Sequence, residues 1–488
     1  MNTILLEDVF CDSGVPQYTF VEPAEYIKTK VALRTRGRGV IVEGPSGIGK
    51  TTCIKKALAE IDMKATMLSA RVPDDIEFIK FILQSPENLG VVIIDDFHLL
   101  DDTIKKGFSD LLKVLADTAR ADTKLVLIGI NKAGECLIQL APDLNNRIDT
   151  IKFEKNPEEK IEELITKGED VLNITITCKK DIVGNSYGSF HIAQMLCKTL
   201  CIDQRITEQQ RDGIEISAPI KNIIHIKMQE LARIFTPTTR TFAAGNRNRR
   251  DGRALYLRLL IWLSEADDGA LQMNEVSMVH PQYKYSINQI ADKGYITRLI
   301  DNNANIKDVL YYDASSRILA IEDPKYMFYL KNTDWNQFAK EMGFKLENIK
   351  TLYDFALSFA GEKRVYAESL YNHLTENEYS VFYDKNQTPD ILGKDLDKYF
   401  EPIYEAGATY VIVLMDAYYP KKVWTVFESK HYKDRFGENS VIPIIFKDFI
   451  LSPTDPLYNK GCLTIDRGKD MEEQINEIVR ILIEKMNS

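Results

Sequence analysis

Residues 39–61, GVIVEGPSGIGKTTCIKKALAEI, constrain the fold of this chain more than any other stretch. An unbroken apolar run leads into a glycine-rich loop and then into an amphipathic run. Apolar residues that do not alternate with polar ones suit a strand buried on both faces, as in parallel sheets covered by helices. The rhythm continues through GVVIIDDFHLL, IKKGFSDLLKVLADTA, KLVLIGI and DTIKF, so residues 39–155 read as an α/β layer structure with a parallel sheet.

Within that layer, Gly44 to Thr51, GPSGIGKT, fits G-x-x-x-x-G-K-[ST] between an expected strand and an expected helix. A glycine loop alone would be an ordinary turn, but this setting is the one a phosphate loop needs. Gly44, Pro45, Ser46, Gly47, Ile48 and Gly49 turn backbone N–H groups toward phosphate oxygens, and the helix N-terminus adds its dipole. Lys50 reaches the terminal phosphates, and Thr51, followed by Thr52, offers a hydroxyl to Mg²⁺. Further on, GVVIIDDF ends in Asp95, placed to hold Mg²⁺ through water, and Asp96, placed to polarise an attacking water.

This pattern resembles the AAA+ and STAND families of P-loop ATPases, in which a glutamate is common at the second acidic position. Asp96 is one methylene shorter, which implies slow hydrolysis and a switching role for bound ATP or ADP. The resemblance puts Asn131 where a polar sensor orients the water. It puts Arg147 where an arginine reaches a neighbouring subunit's nucleotide, although a plain surface arginine in a turn fits that position equally well. No lid arginine stands near SYGSFHIAQ, which offers only His191.

With this core and its N-terminal extension spanning 1–155, the pattern turns helical and polar over 156–240, as a helical lid would. Residues 241–345 read as helices followed by a hairpin, LYYDASSRILAIED, turning at Ala314 to Ser316, and resemble a winged helix. Around the boundary at 240–258 stand Arg240, Arg247, Arg249, Arg250, Arg253 and Arg258. These arginines suit a nucleic-acid patch, a solvated linker or an oligomer contact, and the interleaved aromatics of a single-strand groove are missing.

From 352 the first rhythm returns. LYDFALSFAG, EYSVFYD, TYVIVLM, SVIPIIF and CLTIDR alternate with helical runs and end in MEEQINEIVRILIEKM. Five short strands with helices between them make a second doubly wound domain of flavodoxin type over 350–488. YDFALSFAGEKR, ILGKDL, ATYVIVLMDAYY and VWTVFE, in that order, resemble a TIR domain. TIR domains divide into adaptors, which bind other TIR domains, and enzymes that cleave NAD⁺ at the nicotinamide–ribose bond, often with a glutamate in W-x-x-x-E.

Trp424 and Glu428 fit that motif, so the resemblance makes Glu428 the catalytic residue. Nicotinamide leaves as a neutral group from a cationic ring, so one carboxylate near the developing oxocarbenium ion suffices, where ordinary glycoside hydrolysis uses two. Trp424 either walls the pocket or anchors its helix. The remaining NAD⁺ contacts carried over are Phe359 and Ala360 at the end of the first strand, Arg364 for a phosphate, Asp384 at the mouth of the loop KNQTPDILG, and Lys394. That loop resembles the segment through which TIR domains meet one another.

The bulk numbers exclude other classes. A chain of 488 residues needs more than one core. No run approaches the roughly 18 apolar residues of a membrane helix, and the start, MNTILLEDVFCD, lacks the regions of a signal peptide, so a cytoplasmic protein is expected. A net charge of −10 disfavours nonspecific nucleic-acid binding by the whole chain. Of seven cysteines only Cys197 and Cys201 lie close, a weak metal signal, and buried free thiols are expected.

The resulting expectation is an NAD⁺-cleaving TIR enzyme governed by an ATPase that self-associates, like prokaryotic antiphage proteins and related innate-immune receptors. Its trigger is unknown, a phage-derived protein or nucleic acid among the options. The alternatives are a noncatalytic TIR adaptor under a nucleotide switch and a DNA-binding initiator-like protein.

Overall fold

The computed structural model describes residues 3–11, 14–118, 120, 122–130, 147–246, 253–344, 346, 351–384, 403–419, 440–450, 458 and 461–486. The chain forms two compact units. The first comprises Met1–Thr239, Ile261–Leu271 and Ala304–Thr333, and the second comprises Arg240–Leu260, Gln272–Asn303 and Asp334–Ser488. The stretch expected to resemble a winged helix is therefore divided between them.

The first unit is built on β1 (Gly39–Glu43), β2 (Ala65–Ser69), β3 (Gly90–Asp95), β4 (Thr123–Ile128) and β5 (Ile148–Lys152), all parallel, in the order β2-β3-β4-β1-β5. Strand side chains alternate between the two faces, and both faces are covered. Ile41 and Leu127 pack with Phe108 and Leu112 on one side, while Val40, Val42 and Val126 pack with Ile54 and Ala57 on the other. Each such side chain contributes about 1.5–3 kcal/mol when fully buried. The unbroken apolar runs fall where both faces are covered, as in β1, whose five residues are all buried.

Helices Glu158–Leu172, Lys179–Asn185 and Phe190–Asp203 occupy the stretch expected as a helical lid, with β6 (Ile174–Ile176) and β7 (Ile214–Ile216) as a short parallel pair. The Ser189 hydroxyl caps the Phe190 helix by accepting from Ile192 N at 3.3 Å. The expected hairpin is present as β9 (Leu310–Asp313) and β10 (Ile318–Ile321), antiparallel, with β8 (Ala270–Gln272) on the other side of β10. Asp313 closes its turn, accepting from Ser315 Oγ at 2.6 Å and Ser316 N at 2.7 Å.

The second unit carries β11 (Tyr353–Phe359), β12 (Val381–Phe382), β13 (Ala408–Met415), β14 (Val441–Phe446) and β15 (Leu463–Ile465), parallel in the order β12-β11-β13-β14-β15. Its first strand lies inside the sheet, as a doubly wound fold requires. Phe355, Leu357, Ile412 and Leu414 fill one face, and Ala356, Val411 and Val413 fill the other.

Helices Lys284–Asp292 and Tyr295–Asp301 meet the amino edge of this second sheet. Tyr285 stacks on Tyr353 with centroids 4.3 Å apart, and Gln289 Nε2 and Tyr295 Oη donate to Thr375 O at 2.9 and 3.0 Å. Phe359 and Asp416, at the carboxyl ends of β11 and β13, lie at the opposite edge. No helix among the described residues is long and apolar enough to cross a membrane.

Candidate functional site

In the first unit, the loop after β1 and the helix Lys50–Glu60 open a cavity of about 260 Å³. Gly44 has φ +152°, and a Cβ there would meet Phe153 O at 2.6 Å, so the loop can pass this close to β5 only as glycine. Gly47, at φ +74°, and Gly49, at φ +107°, complete the curl. Ser46, Gly47, Gly49, Lys50, Thr51 and Thr52 line the cavity. Ile48 points into the core, and its carbonyl accepts from Asn156 Nδ2 at 3.3 Å.

Lys50 Nζ donates to Gly44 O and Pro45 O, both at 2.8 Å, so the ammonium lies folded over its own loop. Burial lowers its pKa to about 8, against the opposing attraction of Asp95, Asp96 and Glu322. Thr51 Oγ1 donates to Asp95 Oδ2 at 2.8 Å, which joins the end of β3 to the loop after β1. Burial, with Asp96 adding to it, holds the Asp95 carboxyl above the usual range. A hydroxyl and a carboxylate in contact beside an ammonium form a donor set that suits Mg²⁺ on a triphosphate.

Asp96 occupies the left-handed region at φ 55°, ψ 31°. This conformation strains a non-glycine residue and concentrates at functional sites. Its carboxylate is held by Arg71, with Nε to Oδ2 at 2.8 Å. Arg71 also donates through Nη2 to Glu322, whose other oxygen lies 2.7 Å from His98 Nε2. Asp96, His98 and Glu322 bring their ligand atoms within 4.8 Å of one another, but the Arg71 guanidinium bridges the two carboxylates.

Several of these residues carry no sequence signal. Arg71, His98 and Glu322 line the cavity without belonging to any motif, and so do Thr19, Phe20 and Val21 from the N-terminal extension. The lid reaches the loop through a different pair than an arginine. Ser189 Oγ and His191 N both donate to Gly47 O, at 3.1 and 3.4 Å. Arg147, expected to reach a neighbour's nucleotide, pairs here with Asp117 through Nε at 2.7 Å. Asn131 lies outside the described residues.

The carboxyl edge of the second sheet brings together Phe359, Ala360, Arg364 and Asp384. Arg364 grips Asp384 with Nη1 to Oδ1 at 3.2 Å and Nη2 to Oδ2 at 3.0 Å, and lies over the rings of Phe359 and Tyr383. At the end of β13, Asp416 pairs with buried Lys363 at 2.6 Å, and its other oxygen accepts from Tyr418 N and Tyr419 N at 3.0 Å each. Ser358 and Tyr419 share a 2.6 Å hydroxyl contact. Glu428, Trp424 and Lys394 lie outside the described residues.

Of the arginine cluster, Arg247, Arg249 and Arg250 lie outside the described residues, and each of the other three has a partner. Arg240 pairs with Glu341 at 2.9 Å, Arg258 lies over the Tyr283 ring, and Arg253 is buried against Asp354. The expectation of a solvated linker is thus corrected at Arg253, because a fully hydrogen-bonded partner offsets its desolvation. Cys197 and Cys201 are buried and free, and burial pushes the Cys201 thiol up to about 12.

Residues 40–154 match the AAA family, the ATPase family associated with various cellular activities, and residues 355–479 match the TIR domain family. A 106-residue stretch, 21% of this chain, is 36% identical to the protein named 3' cyclic ADP-D-ribose synthase AaTIR from Aquimarina amphilecti. The match covers 32% of that relative's length. Among solved structures, the Thermotoga maritima RuvB Holliday junction branch migration motor is similar over 68% of this chain and 100% of its own, at 13% identity and TM-score 0.33. Cdc6p from Pyrobaculum aerophilum is similar over 69% and 99%, at 13% identity and TM-score 0.34. The parallel-sheet assignment rests on the strand order itself.

Proposed function

Because the chain carries an AAA ATPase domain followed by a C-terminal TIR domain, we propose that it is a nucleotide-controlled enzyme that cleaves NAD⁺. The observation that carries this reading is the TIR match over 355–479, joined to 36% identity with a protein named for making a cyclic ADP-ribose. The bond broken is the one between nicotinamide and ribose. Nicotinamide departs as a neutral leaving group, so the protein's task is to stabilise positive charge growing on the ribose. The negative carboxylate of Glu428 would stabilise that charge more strongly in the transition state than in the ground state.

Phe359 and Ala360 would floor the nicotinamide side, and Arg364, on leaving Asp384, would meet the pyrophosphate. Trp424, four residues before Glu428 in the sequence, would wall the pocket. Lys394 would serve the loop through which neighbouring TIR domains meet. The product is ADP-ribose or its cyclised form.

The AAA domain would bind ATP or ADP in the 260 Å³ cavity. Mg²⁺ would be held by Thr51 and, through water, by Asp95, with Asn131 and Asp96 orienting water. Arg147, exchanging Asp117 for a neighbour's phosphate, would couple nucleotide to self-association, and clustering would bring TIR domains together to complete the NAD⁺ site. The resemblance of this domain pairing to antiphage defence proteins supports a role in defence by NAD⁺ depletion, with a phage-derived protein or nucleic acid as the proposed trigger.

The experiment is NAD⁺ consumption by purified protein with and without ATP, with Glu428→Ala and Lys50→Ala as comparisons. Consumption that depends on Glu428 supports the reading, and consumption that survives Glu428→Ala overturns the catalytic assignment. Equal assembly and activity in wild type and Lys50→Ala would remove the nucleotide control.

A further inference from the structure

Glu322 follows β10 of the hairpin, 251 residues from Arg71 in the chain. Its side chain is 2% exposed. It lines the nucleotide cavity, where burial of a carboxylate needs strong compensation, and it receives that from Arg71 on one oxygen and His98 on the other. The hairpin is pinned beside it. Tyr311 Oη donates to His98 O at 3.0 Å, Ile318 and Ala320 pack on Ile130, and the Pro324 ring lies so close to Gly47 that a Cβ there would meet it at 2.6 Å.

The charges around the phosphate end are three carboxylates, Asp95, Asp96 and Glu322, against Lys50 and Arg71, with the His98 ring against Glu322. Arg71 bridges Asp96 and Glu322, and a diphosphate would leave that bridge in place. A third phosphate would bring further negative charge into the same space, and Arg71, its side chain 42% exposed and shared between two carboxylates, is a cation able to meet it. Were Arg71 to turn to that phosphate, Glu322 would keep only its contact with His98, and Asp96 would be released for water.

We propose that Glu322 is a specificity-determining and positioning residue of the nucleotide site, competing with the terminal phosphate for Arg71 and so favouring ADP over ATP. It does not touch the reacting atoms and acts through Arg71. The inference rests on the cavity being the nucleotide site, as proposed above. Because Glu322 belongs to the hairpin, the discrimination also ties the presence of the third phosphate to the position of β9 and β10.

The test is the ratio of Kd values for ADP and for the non-hydrolysable triphosphate AMP-PNP, both with Mg²⁺, on the full chain. Glu322→Gln keeps the shape and removes the charge, and it should shift the ratio about tenfold toward the triphosphate. Arg71→Gln should weaken AMP-PNP about tenfold while leaving ADP unchanged, and the double variant should behave as Arg71→Gln alone, since the two residues act as a unit. A Glu322→Gln change that affects both nucleotides equally, or effects that simply add in the double variant, would overturn the proposal. If Glu322→Gln does not fold, the Arg71→Gln arm decides, and an unchanged ratio there overturns it. Undiminished binding of both nucleotides by Lys50→Ala would instead show that the cavity is not the nucleotide site.

Discussion

Arg253 and Asp354 form an ion pair, Nε to Oδ1 at 3.2 Å, with the two side chains only 4% and 3% exposed. Arg253 also donates to Gln282 O at 2.5 Å and to Thr351 O at 2.9 Å, while Asp354 Oδ2 accepts from Ser380 N and Oγ at 2.8 and 3.0 Å. The pair bonds the segment ahead of helix Leu255–Glu265 to the first strand of the TIR sheet, at the edge opposite Phe359.

Removing one partner strands the other charge in the interior. Arg253→Met is therefore expected to destabilise the protein by about 3–5 kcal/mol, whereas Arg240→Met, which breaks an exposed pair, should cost about 0–1 kcal/mol. Urea unfolding distinguishes them, and similar midpoints for the two variants would sink the assignment.

Thr51 and Asp95 are expected to act together on Mg²⁺. Asp95→Asn keeps the hydrogen bond from Thr51 but removes the charge, so nucleotide affinity should fall about 10- to 100-fold with Mg²⁺, the worth of one or two charged contacts, and change little in EDTA. Titration calorimetry in both buffers reads the difference. Equal losses with and without Mg²⁺ would show that Asp95 does not serve the ion.

Lys50 sets a pH dependence. Its pKa in the folded protein is lowered to about 8 from an ordinary value of 10.5, so between these values the unfolded chain binds more protons and stability rises with pH. Nucleotide binding needs the charged ammonium and runs the other way: affinity should fall as pH rises through about 8. Binding at pH 8.5 should take up part of a proton, visible as a binding enthalpy that changes with the ionisation enthalpy of the buffer. A buffer-independent enthalpy would contradict it.

Arg364 is held by Asp384 at the surface, so Arg364→Ala should leave unfolding within about 1 kcal/mol of wild type. If Arg364 meets the pyrophosphate, KM for NAD⁺ should rise about tenfold while kcat changes less. A fall in kcat at constant KM would place Arg364 elsewhere in the reaction.

The two sheets were legible in the sequence because a strand buried on both faces has no polar positions, and Ile41 and Val42, or Leu414 and Val413, show that burial directly. The phosphate loop was legible because its chemistry is local: Gly44 to Thr52 are contiguous, and Asp95 ends the strand that lies one strand away from β1 across β4. The C-terminal domain was legible from several motifs in order.

The partners of those local groups were not. Arg71 follows β2 with no motif around it, and Glu322 lies near the end of the expected hairpin LYYDASSRILAIED, far along the chain from the phosphate loop. What the sequence determined by itself was periodicity and contiguous chemistry, which depend on near neighbours. That Asp96 sits at positive φ in the grip of Arg71, that Glu322 shares that arginine, and that Arg253 is buried rather than solvated were decided by tertiary structure alone. Coulombic and hydrogen-bond partners are chosen by distance in space, and residues 251 apart in the chain leave no pattern in the sequence between them.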